Sequence, residues 1–137
     1  MKTGNADSHD LLALADGLLH RADPITAGLW PRVSALLALE ALEASLLRFW
    51  ECRSLDLQGS SMRTQLICLR SYLEDPKLAA RTGHAWSALS RACHHHAYEL
   101  GPTVGELRSW LSAVGELVER VGPPAEAPAR RSPSPLP

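Results

Sequence analysis

The sequence predicts an all-α protein: a compact bundle of four or five helices followed by a disordered, proline-rich C-terminal tail. Three observations predict it. The 137 residues include 24 Leu and 19 Ala against 5 Val and 2 Ile, and Leu and Ala favour helices whereas β-branched residues favour strands. Apolar residues recur at helical spacing in successive segments separated by Pro, Gly and Asp. Six of the ten prolines crowd into residues 122–137, where fixed φ and missing amide donors preclude a helix or a central strand. A mass of 14.9 kDa fits one domain. The expected organisation is a flexible N-terminus over 1–6, a helical body over 7–121 and the tail over 122–137.

The first helix is expected from about Asp7 to Arg21, capped by Asp7 or Ser8, with Leu11, Leu14, Leu18 and Leu19 on its apolar stripe. The second opens at Pro31, a favoured first-turn residue, and runs to about Arg53. Its apolar positions, Val33, Leu36, Leu37, Leu42, Leu46, Leu47, Phe49 and Trp50, form a wide face that suits a central helix. The third, about Met62–Leu73 behind Ser60 and Ser61, carries Leu66, Ile67, Leu69 and Leu73 and is compatible with helix or strand. The fourth starts with the cap and proline pair Asp75-Pro76 and extends to about Tyr98, before Gly101-Pro102. The fifth has the capping box Thr103-x-x-Glu106. Its Val104, Leu107, Leu111, Val114, Val118 and Val121 follow the narrow seam of antiparallel packing, with Gly105 and Gly115 offering close approach to a neighbour.

Charge and cysteine content narrow the function classes. A formal net charge of −1, from 14 basic and 15 acidic side chains, argues against broad electrostatic capture of nucleic acid or anionic lipid while permitting a local basic site. Cys52, Cys68 and Cys93 form no CxxC pair and read as reduced thiols in or near the core of a cytoplasmic protein. No apolar run approaches the roughly 20 residues that span a bilayer, and residues 1–10 lack a signal-peptide pattern. No cofactor motif is expected.

The densest polar cluster is Ser90-Arg91-Ala92-Cys93-His94-His95-His96-Ala97-Tyr98-Glu99. At about 100° per residue, Arg91, His94, His95 and Tyr98 share one stripe, with His96 about 140° from Arg91. Adjacent histidines on a helix point apart, which disfavours a shared metal ion; a set of His94 with Cys52 or His20 stays open. Cys93 follows Leu89 by four residues and points inward, where a thiol is inert. An imidazole and a guanidinium suffice for another chemistry. RNA brings its own nucleophile, the 2′-hydroxyl, so cleavage needs a proton carrier near neutral pH and a cation for the phosphorane. One Arg and one His make a thin site, and a two-fold pair of copies would complete it.

Arg91, four residues, His96, one residue, Tyr98 resembles Arg-x4-His-x-Tyr, the signature of the HEPN superfamily and most closely of HepT-type toxins. The Ala41-Leu42-Glu43-Ala44-Ser45-Leu46 stretch is similar to the second helix of many HEPN proteins. The resemblance implies a small helical bundle that dimerises, with Arg91 and His96 as a metal-independent endoribonuclease site acting on RNA, tRNA included. It implies Tyr98 as the acceptor of AMP from a nucleotidyltransferase antitoxin. The chain departs from the family in placing Ala92, rather than a polar residue, after the Arg. His94 and His95 are additional to the pattern and are expected substrate contacts. A plainer alternative is a non-catalytic interaction module, in which the histidines merely complement the helix dipole. Trp30, Trp50, Trp86 and Trp110 are expected as core or interface anchors. Arg63 and Arg70, seven apart, share a helical face suited to phosphate or to pairing with acids such as Glu74.

Overall fold

Capping chemistry sets where the helices begin and end. In the computed structural model, which describes residues 7–20, 30–57, 59–94 and 101–121, five helices follow in order: α1 (Ser8–His20), α2 (Trp30–Cys52), α3 (Met62–Tyr72), α4 (Pro76–Cys93) and α5 (Val104–Val121). The described residues contain no strand. The third segment is therefore helix, and Ser61 caps it by accepting from the Thr64 amide at 3.2 Å. Asp75 caps α4 through the Leu78 amide at 3.0 Å, with Pro76 in the first turn. Thr103 and Glu106 form the expected box: the Thr103 hydroxyl accepts from the Glu106 amide at 3.1 Å while the Glu106 carboxylate accepts from the Thr103 amide at 3.3 Å.

The end of α2 closes on a Schellman turn. The Leu55 amide donates to the Trp50 carbonyl and the Ser54 amide to the Glu51 carbonyl, each at 3.0 Å. That turn needs a left-handed residue, and Ser54 takes the position at φ 54°, where glycine would be unstrained.

Helices α1, α2, α4 and α5 make an antiparallel four-helix bundle around Trp50, Leu42, Leu46, Leu89, Leu107 and Leu117, all fully buried. The direction of each pair follows from its cross-links. Ser8, at the start of α1, meets Ser45 late in α2, with 3.2 Å between the hydroxyls, while Ser34 donates to the Ala15 carbonyl at 3.1 Å. On the far side, Asp75 at the start of α4 pairs with Arg120 at the end of α5 at 3.0 Å, and Arg81 holds Glu116 through two bonds of 2.8 and 2.7 Å. Helix α3 lies outside this square against α4. A buried polar link fastens it to α2: the Trp50 indole donates to the Gln65 side-chain oxygen at 3.2 Å, and the Gln65 amide donates to the Ser60 carbonyl at 3.1 Å.

Several leucines fall on the other face from the one their spacing suggested. Leu14 is exposed, and α1 turns Ser8 and Ala15 inward instead. On α2 the inward face is Ser34, Ala35, Ala38, Ala41, Leu42, Ser45, Leu46, Phe49 and Trp50, which leaves Val33, Leu36 and Leu47 exposed. Small residues win the seam because they let two helices close to backbone distance, and a leucine there would hold them apart. Cys52 is exposed rather than near the core, whereas Cys68 and Cys93 are half-buried. A Cβ at Gly115 would meet nothing within 4 Å, so no neighbour uses the close approach expected there. Trp50 is core, and Trp86 and Trp110 pack partly against it. Among the described residues no helix is long and apolar enough to cross a membrane.

Candidate functional site

The last turn of α4 carries the described part of the polar cluster. Leu89 is fully buried against the bundle, which turns Arg91, two residues on, outward. Arg91 is exposed and has no ion-pair partner among the described residues. Its guanidinium presents a planar fork suited to phosphate oxygens. Ala92 and Cys93 pack partly on the core. His94 caps the helix: its amide donates to the Ser90 carbonyl at 3.1 Å and its ring is exposed. Arg91 and His94, three residues apart, thus share the solvent side of one turn, as their spacing predicts. Helix α4 ends at Cys93, short of the expected Tyr98. His95, His96 and Tyr98 lie outside the described residues.

Burial pushes the Cys93 thiol above its ordinary range; the nearby Arg32 charge opposes that rise and Glu43 reinforces it. A protonated, half-buried thiol is a poor nucleophile. Helices α2 and α4 pack against each other, which brings these two charges of α2 within reach of the C-terminal end of α4. Among the described residues no group of three His, Cys, Asp or Glu side chains gathers to hold a metal ion.

A second feature stands between α3 and α4. An open groove of about 590 Å³ is lined by Leu66, Ile67, Ala79, Ala80, Gly83 and Trp86. Its floor is recessed because α4 presents small residues along one side, and a Cβ at Gly83 would meet nothing within 4 Å. Arg63 and Arg70 border it from α3. Neither pairs with Glu74 or with any other described acid. By contrast, the exposed Arg81 and Arg120 are both paired. Sequence periodicity finds the shared face of Arg63 and Arg70; the groove itself arises only when α3 docks beside the small residues of α4. The Trp86 indole nitrogen is buried and has no hydrogen-bond partner among the described residues.

Comparison of the chain with models of known protein families, with curated proteins and with solved structures found no match.

Proposed function

We propose that the chain is a HEPN-like, metal-independent endoribonuclease that works as a pair of identical copies in the cytoplasm, as the toxin of a toxin–antitoxin or defence system. One observation carries the reading: Arg91, the arginine of the Arg-x4-His-x-Tyr pattern, stands exposed at the end of a bundle helix with no ion pair among the described residues. A structural arginine is usually matched by an acid, as Arg81 and Arg120 are here. An unmatched one is available to a phosphate.

In this reading Arg91 stabilises the charge that develops on phosphorus. His96 takes the proton of the 2′-hydroxyl or returns one to the 5′-oxygen leaving group, and the product is a 2′,3′-cyclic phosphate. His94 and His95 lie next to this pair in sequence and contact the substrate. Tyr98 accepts AMP from ATP through a nucleotidyltransferase, with release of pyrophosphate, and the negative charge of the new phosphodiester opposes RNA binding.

Purified protein incubated with total RNA in EDTA tests the proposal. Cleavage should persist in the chelator, leave cyclic phosphate ends, and fall by about 100-fold or more in Arg91→Ala and His96→Ala. Undiminished cleavage in both variants removes these residues from the mechanism. Co-expression with a partner nucleotidyltransferase should add the mass of AMP to the wild type and not to Tyr98→Phe. A second reading, a non-catalytic interaction module, is favoured by the apolar groove between α3 and α4. RNA affinity that falls steeply with salt supports the nuclease, and absence of RNA binding supports the module.

A further inference from the structure

We infer that the groove between α3 and α4 receives the exposed face of α2 from a second copy, joining copies head to tail. The inference goes beyond the nuclease reading and does not rest on it. Its two halves are both present in one chain. The exposed side of α2 bears Val33, Leu36, Glu40, Glu43, Leu47 and Glu51. At about 100° per residue these six positions fall within about 80° of arc. They form a stripe of three aliphatic side chains interleaved with three carboxylates, none of them in an ion pair among the described residues. Arg32 borders the stripe at its N-terminal end.

The groove is the complement in shape and charge. Its apolar floor is lowered by Ala79, Ala80 and Gly83, which gives an aliphatic side chain room to enter. Arg63 and Arg70 stand seven residues apart on its rim, about 10 Å along α3, and have no ion-pair partner among the described residues. Glu43 and Glu51 are eight residues apart, about 12 Å along α2, with Leu47 midway between them. One register therefore seats Leu47 over the small floor while both carboxylates reach the arginines. This is the helix-in-groove mode, in which a few apolar anchors carry affinity and the charges set register. The C-terminal tail fits worse. Residues 122–137 contain Arg130 and Arg131 against a single Glu126, so they are repelled by the same arginines.

Each copy gives its α2 face to one neighbour and its groove to another, so the contact is heterologous. Copies either close into a ring or extend as a chain. That property gives a test which a two-fold interface would fail. Sedimentation of the full chain should show assembly that grows with concentration. Gly83→Leu fills the groove without touching α2, and Leu47→Asp spoils the α2 face without touching the groove. Each alone should weaken assembly about 30-fold or more. Mixed together, they should recover a one-to-one complex that grows no further, since one variant still offers a face and the other a groove.

Melting curves of both variants confirm that each is folded, and Gly83→Ala, which fills little of the groove, should assemble like the wild type. Arg91→Ala should assemble normally as well, so failure of the nuclease reading is read separately. Protein that stays monomeric up to about 1 mM, above the range of weak specific contacts, overturns the inference. So does assembly that is lost in each variant and not recovered on mixing, or that neither substitution changes. RNA binding lost in Arg63→Ala and Arg70→Ala of a monomeric protein would also overturn it, by assigning the groove to nucleic acid.

Discussion

The α1–α2 seam and the α3–α4 groove are both built on small residues, yet one is shut and the other open. In the seam, Ser34, Ala38, Ala41 and Ser45 run along α2, and α1 follows them closely enough for Ser34 to reach the Ala15 carbonyl. In the groove, Ala79, Ala80 and Gly83 run along α4, but α3 stands to one side with Ile67 exposed and leaves space above Gly83. Small side chains permit close approach; they do not compel it. What closes the seam is a partner helix whose own small residue, Ala15, faces the stripe and accepts a hydrogen bond across it. Helix α3 has 11 residues and is held by its fully buried Leu69 and by the buried Trp50–Gln65 bond.

The comparison can be broken by exchanging bulk. Ala38→Leu inserts three carbons where nothing is free and should destabilise the fold by about 3 kcal/mol, read as a lower urea midpoint. The matched Gly83→Leu should be neutral or stabilising by up to about 1 kcal/mol, because the new side chain enters open space and a glycine leaves a helix. Equal losses at the two sites would mean that the groove is closed in solution.

A smaller effect measures how much the polar link to α2 adds to the apolar anchoring of α3. Gln65→Leu leaves the fully buried Trp50 indole N–H without an acceptor and should cost about 2 kcal/mol. Hydrogen exchange should then rise in α3 before it rises in α2.

Next in size is a pH effect from Cys93. Its pKa lies above the unfolded value, so the folded chain holds this proton more tightly. The resulting stability is complete below the ordinary thiol pKa and is lost as pH rises past about 8.5 toward the folded value. Cys93→Ala should flatten that alkaline fall, and the exposed Cys52 should react with a thiol reagent at pH 8 well before Cys93 does.

The smallest expected change is a gain. Ser54→Gly relieves the left-handed position of the Schellman turn and should add about 0.5 kcal/mol, a rise of roughly 2 °C in Tm.

What the sequence made legible follows from where its signals are local. Asp75-Pro76 and Thr103-x-x-Glu106 announce helix starts by chemistry completed within one turn, and both appear as read. The stripe of α5 was equally plain, because polar residues separate Leu107, Leu111, Val114 and Val118, all buried. Helices α1 and α2 were harder. With leucine on several sides, as at Leu11, Leu12, Leu14, Leu18 and Leu19, hydrophobicity alone does not choose the inward face. The choice fell to Ser8, Ala15, Ala38 and Ala41, whose value is smallness rather than greasiness. Gln65 gave no warning of its burial, since its partner lies 15 residues away. At the candidate site the exposure of Arg91 and His94 was readable from helical spacing. His96 and Tyr98 lie outside the described residues.

Asp75 uses its two carboxylate oxygens for two jobs. One receives the Leu78 amide that begins α4, and the other holds Arg120, one residue before α5 finishes. The chain leaves the described bundle one residue later, toward its proline-rich extension. Mechanical load applied to that extension would therefore meet Arg120 within a residue, and Asp75 would pass part of it to the opposite terminus of the neighbouring helix before it reaches the Arg81–Glu116 pair one turn further in. Asp75 is the rivet at the tail's point of attachment, and a pulling experiment should find the bundle giving way there first.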